Sequence, residues 1–200
     1  MNWYKKAEET EETEETAEER KKMEDWFEKR TKRHIDLVGK YCKKVALYDE
    51  DQFGELLERA KVHDASKFKS PEKEPYIYVS WKYKCQDDGV DFESSDEMDA
   101  KMDEATEHHV KNNLHHPESH CDKEIDLINK EDRDKPPEEM IDATNMPEID
   151  VAEMCCDWMG MSEEKGGHPK DWADKNVNVR WKFTDKQKDL IYELIEEIWE

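Results

Sequence analysis

Two hundred residues suffice for one domain with a full core, while a formal net charge of −22 excludes a general nucleic-acid binder, since phosphate backbones are held by lysine and arginine clusters. No stretch reads as a signal peptide or as an apolar run of membrane length, so a soluble, cytoplasmic chain with no membrane partner is expected. Five cysteines (Cys42, Cys85, Cys121, Cys155, Cys156) are odd in number and lack Cys-x-x-Cys spacing, which argues against a disulfide framework or a thiolate zinc site and for reduced, mostly buried thiols.

In chain order, residues 1–20 carry a Glu-Glu-Thr repeat with almost no apolar content and read as an acidic, solvated extension; residues 21–200 read as a single domain. From Arg20 to Ala46 the steps of three and four through Phe27, Arg30, His34, Leu37, Val38, Tyr41 and Val45 predict a helix with His34 on its apolar face. A second helix is expected to open at Asp49, with Gln52 completing an Asp-type capping box, and to run through Phe53, Leu56, Leu57 and Ala60 into His63-Asp64. Pro71 and Pro75 are read as its stop. The aromatic run Tyr76, Tyr78, Trp81, Tyr83 reads as a helix, followed by an acidic loop around Gly89 and a cap at Ser95.

In the next helix, Met98, Met102, Ala105 and His109 share one face and His108 lies on another, so His109 is expected inward and His108 outward. Pro117 ends the pattern and places His115 and His116 at a turn. Residues 118–140 read as mostly loop, with a short helical piece near Glu124–Asn129 and a solvent-facing His120. Pro147 reads as a first helical position, with Met154, Asp157, Trp158 and Met161 on one stripe. Gly166-Gly167-His168-Pro169 reads as a turn. Trp172 to Trp181 reads as a partly helical connection, and Thr184 with Gln187 caps a final helix striped by Leu190, Ile191, Leu194, Ile195 and Ile198. The fold class is therefore all-α.

The adjacent pair His63-Asp64 offers a neutral nitrogen and an anionic oxygen to one divalent cation. Asp64 and Asp157 both fall among apolar neighbours, where an unpartnered carboxylate costs several kcal/mol, about what a shared cation would offset. Lys67, three residues after Asp64, could neutralise that carboxylate or hold a phosphate. No glycine-rich phosphate loop and no nucleophilic serine or cysteine with an evident base is present.

The order His34, His63-Asp64, His109, His115-His116, Asp157 resembles the HD-domain superfamily of metal-dependent phosphohydrolases, whose motif is a histidine, a His-Asp pair and a distant aspartate. His-Asp-Ala-Ser-Lys is similar to the His-Asp-x-Gly-Lys of its cyclic-dinucleotide phosphodiesterases, with Ser66 in place of the glycine. Over about residues 30–200 the chain looks closest to an uncharacterised family of small HD-like phage and bacterial proteins with His-Asp-x-Ser-Lys-Phe, Asn-x-His-His-Pro-Glu and a Cys-Asp-Trp helix. The resemblance implies a helical bundle around one or two divalent ions (Mn, Fe, Co, Ni or Zn). His34, His63, Asp64 and Asp157 would hold one ion, with His109 and one or both of His115 and His116 on a second. Implied too are hydrolysis of a nucleotide or other small phosphate ester, a bridging Asp64, and Lys67 on the phosphate or leaving oxygen, with Lys165 and Arg180 as further substrate contacts. The same residues resemble the four-histidine, two-aspartate set of the di-iron inositol oxygenases. An acidic interaction protein with a residual metal site is a third reading, and oligomeric state is left open.

Overall fold

The computed structural model describes residues 16–122 and 139–199. The architecture is all-α, organised on a long helix α1 (Ala17–Tyr48) and a central helix α6 (Glu148–Lys165). At 1.5 Å per residue α1 is about 48 Å long. It opens three residues earlier than the hydrophobic period suggests, because Thr16 and Glu19 form a reciprocal capping box: Thr16 Oγ1 accepts from Glu19 N at 3.2 Å and the Glu19 carboxylate from Thr16 N at 3.0 Å. Its buried stripe is Met23, Phe27, Thr31, His34, Val38, Tyr41, Cys42 and Val45.

Every residue of α6 from Asp150 to Cys156 is buried, as befits a helix with neighbours on all sides. It packs on α1, on α7 (Pro169–Asn176) and on α8 (Asp185–Ile198). The crossing with α1 is tight at Gly160, where an added Cβ would lie 3.1 Å from the Val38 side chain and 3.2 Å from its amide nitrogen. Thr184 and Gln187 cap α8 as predicted. Gln187 also reaches out of its own helix, donating to the carbonyls of Ala143 at 3.1 Å and Met146 at 2.7 Å, which fixes the chain entering α6.

Two apolar clusters result. The larger joins α1 from Val38 onward with Phe53, Leu56, α6 and α8; the smaller joins Met23, Phe27 and Ile77 with Phe68, Tyr76, Tyr78 and Trp81. His34 lies on α1 between them, which is how a polar site comes to sit inside the bundle.

Several boundaries differ from the sequence reading. The segment after Asp49 is two short helices, α2 (Glu50–Phe53) and α3 (Leu56–Arg59), interrupted at Gly54, a residue about 1 kcal/mol poorer than alanine in a helix. His63-Asp64 follow in a turn, then a 3₁₀ turn over Ala65–Phe68. Pro75 does not stop a helix; it stands in the first turn of α4 (Lys73–Asp88), where its missing N–H has no intrahelical partner to lose. The acidic loop around Gly89 and the Ser95 cap of α5 (Asp96–Asn112) are as expected. Pro147 is the residue before α6, its carbonyl accepting from Val151 N at 3.0 Å. His168 caps α7 by accepting from Lys170 N at 3.1 Å.

A two-residue parallel pairing, β1 (Ile141–Asp142) with β2 (Trp181–Lys182), was not legible in so short a run. The Glu124–Asn129 piece, Pro136-Pro137 and the Glu-Glu-Thr repeat before Thr16 lie outside the described residues. Among the described residues no helix is long and apolar enough to cross a membrane. All five cysteines are free thiols, four of them buried.

Candidate metal centre

Five separate pieces of chain bring their polar side chains to one point. His34 arrives on the apolar stripe of α1, and the Gly160–Val38 contact brings α6 close enough for His34 Nε2 to lie 3.0 Å from Asp157 Oδ1. Asp64 adopts a left-handed conformation, φ 57° and ψ 12°, which is uncommon for a residue with a Cβ. The turn aims its carboxylate inward, where it is 1% exposed. The 3₁₀ turn that follows returns Lys67 to the same carboxylate, Nζ to Oδ2 at 2.6 Å. α5 supplies His109 from its inward face, and the turn after it supplies His115 and His116.

The two oxygens of Asp64 face different histidines. Oδ2 lies 3.4 Å from His34 Nε2 and 3.9 Å from His63 Nε2, whereas Oδ1 lies 3.2 Å from His109 Nε2 and 3.8 Å from His115 Nε2. His34, His63 and Asp64 form one group whose potential ligand atoms lie within 4.8 Å of one another, and His109, His115 and His116 form another. Side-chain atoms here are buried with no hydrogen-bond partner: His63 Nε2, His109 Nε2, His116 Nε2 and Asp64 Oδ1. Unpaired buried polar atoms cost about 1–3 kcal/mol each and are rare without cause. Imidazole lone pairs and a carboxylate converging on shared space are the donor set of a divalent transition metal, so the residues fit such an ion.

The charges are arranged accordingly. Burial opposes ionisation of Asp64, yet Lys67 and His63 hold it well below the usual carboxylate range. Burial likewise opposes ionisation of Asp157, but its hydrogen bond with His34 more than compensates and holds it well below the usual carboxylate range. Burial works against a charge on His63 too, but the Asp64 carboxylate and Glu153 raise its pKa to about 9. Burial and the neighbouring His116 push His115 well down, and burial with His109 takes His116 to about 3, so both rings keep their lone pairs at neutral pH.

Behind these rings stand two carboxylates that the sequence reading missed. Glu153, on α6 four residues before Asp157, takes the Nδ1 proton of His63 at 2.9 Å and is held by Arg59 Nε at 2.6 Å, while the Arg59 fork also reaches Asp150. Glu72 is fully buried and accepts from His109 Nδ1 at 2.9 Å, from Ser66 Oγ at 2.8 Å and from His108 Nδ1 at 2.7 Å. Burial opposes both charges, and these donors hold both pKa values below the ordinary range. His108 does face outward as expected, with its side chain 39% exposed, but it has this inward bond. His120, expected in solvent, is turned in: its side chain is 11% exposed and Nε2 lies 3.5 Å from Asp150 Oδ2, because the 3₁₀ turn Pro117–His120 folds back toward α6.

The other two expected substrate contacts are Lys165 and Arg180. Lys165 is exposed in the last turn of α6, about two turns beyond Asp157. Arg180 Nε donates to Asn176 Oδ1 at 3.0 Å and its guanidinium lies over the Trp181 ring. Trp181 stacks on Trp158, the residue after Asp157, and donates from Nε1 to Glu118 at 2.9 Å, tying the His115-His116 segment to α6. Asn113 Nδ2 donates to Ser66 Oγ at 3.1 Å, tying the same segment to the His-Asp turn.

A family model described as a family of unknown function, DUF5662, matches residues 23–199. The chain belongs to that family. Its matched span takes in every residue of the centre, from His34 to Asp157. No curated protein and no solved structure matches the chain.

Proposed function

We propose that this member of the family is a metal-dependent phosphohydrolase of HD-domain type, acting on a nucleotide or other small phosphate ester in a cytoplasmic setting. The observation that carries the reading is Asp64, its two oxygens turned to two sets of histidines with open nitrogens and Lys67 beside it. One or two ions among Mn, Fe, Co, Ni and Zn would be held by His34, His63, Asp64 and Asp157 and by His109, His115 and His116. Bound there, divalent ions would lower the pKa of water and neutralise phosphoryl oxygens.

The chain's own part is positioning. Glu153 and Glu72 take the Nδ1 protons of His63 and His109, which fixes both rings with Nε2 turned toward Asp64, the nitrogen that an ion would take in place of any proton there. Lys67, with 17% of its side chain exposed and Nζ 5.3 Å from the Tyr76 ring centroid, is the cation at the rim that can meet an incoming phosphate or give a proton to the leaving oxygen. In a chain of net charge −22, ions bound at the centre together with Lys67 are what would admit an anionic substrate.

The test is elemental analysis of protein purified without added metal, then a phosphate-release panel with Mn, Co, Ni, Fe and Zn, alongside Asp64→Ala. Bound metal and phosphate release, both lost in Asp64→Ala, support the proposal; full metal content and activity in that variant refute it. The imidazole-rich set would equally suit two irons, so oxygen consumption by the iron-loaded protein, with no phosphate release, would assign it to oxygenase chemistry instead. Metal without either activity would leave the residual-site reading.

A further inference from the structure

We propose that Glu72 and Glu153 are positioning residues for two separate metal positions, each acting through its one short hydrogen bond on one position, since the approach of Glu153 Oε1 to His115 Nδ1, 3.7 Å, is too long for a hydrogen bond; the inference rests on the metal reading above. Each carboxylate stands behind a different oxygen of Asp64. Glu153 takes the Nδ1 proton of His63, whose Nε2 belongs to the group with His34 and Asp64 Oδ2. Glu72 takes that of His109, whose Nε2 faces Asp64 Oδ1 and the group with His115 and His116. In both cases the far nitrogen is buried and unpartnered, so the hydrogen bond keeps a proton on Nδ1 and leaves Nε2 as the nitrogen a cation would take, His63 releasing its Nε2 proton as the ion binds.

Glu153 with the Nδ1 side of His63 and His115 could also be read as a cation pocket. Arg59 decides against it: the guanidinium Nε lies 2.6 Å from Glu153 Oε2, so the place is already held by a cation, and Oε1 already accepts the His63 proton. Glu72 is equally committed, with three donors on a fully buried carboxylate. Ser66, which stands where the phosphodiesterase motif has glycine, thereby acquires a role: its hydroxyl is one of those donors.

The experiment is a cobalt(II) titration of the chelator-stripped full chain, followed by visible absorption and calorimetry. Wild type is expected to take up two equivalents in resolvable steps. Loss of such an outer hydrogen-bond partner weakens metal binding by about 10–100-fold. Glu72→Gln should weaken one step by that factor and Glu153→Gln the other, each leaving the remaining step within about threefold. Ser66→Ala, which removes a donor to Glu72 and a hydroxyl 3.3 Å from His109 Nδ1, should weaken the same step as Glu72→Gln by a smaller factor and serves if Glu72→Gln fails to fold. Weakening of both steps alike by either variant, or a Ser66→Ala effect on the Glu153 step, overturns the assignment. Uptake of one equivalent by wild type overturns it while leaving a mononuclear centre intact. No uptake at all sinks the metal reading itself.

Discussion

On the metal reading proposed above, stripping the ion should cost this protein stability, and the structure sets the size of the loss. Without an ion, His63 Nε2, His109 Nε2, His116 Nε2 and Asp64 Oδ1 are buried with no hydrogen-bond partner. At the low end of about 1 kcal/mol per unsatisfied group, these four atoms burden the ion-free fold by about 4 kcal/mol that coordination would remove. Mass action gives a similar figure: a ligand at 1,000 times its Kd stabilises the native state by about 4 kcal/mol. For a chain of this length, about 1 kcal/mol moves Tm by about 2–4 °C, so chelation should lower the melting temperature by about 8–16 °C. The assay is thermal unfolding followed by circular dichroism, with chelator and then with each ion restored in slight excess. Asp64→Asn keeps the shape of the side chain and tolerates the left-handed backbone, yet removes the charge that both histidine sets face. Its melting temperature should become nearly insensitive to chelation. A wild-type protein that melts at the same temperature with and without chelator, or an Asp64→Asn protein that keeps the full shift, would refute the reasoning.

Three further outcomes follow from the packing. Lys67→Ala should leave metal content unchanged in elemental analysis while lowering phosphate release by about 10²-fold or more, the usual cost of losing one charge-stabilising donor. Arg59→Ala leaves Asp150 and Glu153 as adjacent buried carboxylates without their cation; urea unfolding should report a loss of about 3 kcal/mol, typical of breaking a buried pair from one side. Gly160→Val pushes new atoms into Val38, costing about 1–3 kcal/mol in the same assay, and by parting α6 from α1 it should also weaken metal uptake through the His34–Asp157 pair.

The inward histidines were legible because they ride on helical periods. His34 follows Phe27 and precedes Val38 on one stripe, and His109 follows Met102 and Ala105 on another, so the face assigned to each from spacing is the face it occupies. Asp64 and Asp157 were legible for the complementary reason, as charges among apolar neighbours. Glu72 and Glu153 were not, because 54 acidic residues mask two. Glu153 did leave a trace: Asp150, Glu153 and Asp157 fall at helical spacing beside Met154 and Trp158, a carboxylate row in the otherwise apolar stretch 149–161. Glu72 left none, since it follows Pro71 in a turn with no period to read. His120 was misplaced for the same reason: in a loop only tertiary contact decides which way a ring points. The β1–β2 pairing, two residues on each side, rests on two backbone bonds, Ile141 N to the Arg180 carbonyl and Ala143 N to the Lys182 carbonyl, both at 3.0 Å, a run too short for strand propensity to show.

Position 64 answers to two unrelated demands. Its backbone at φ 57° would suit Gly or Asn as well as Asp, and its electrostatic surroundings would accept Glu, but among the common amino acids Asp alone meets both. A lineage of this family that gave up the proposed metal while keeping its shape would therefore be released from one demand only, and Asn or Gly at this place would be its earliest mark.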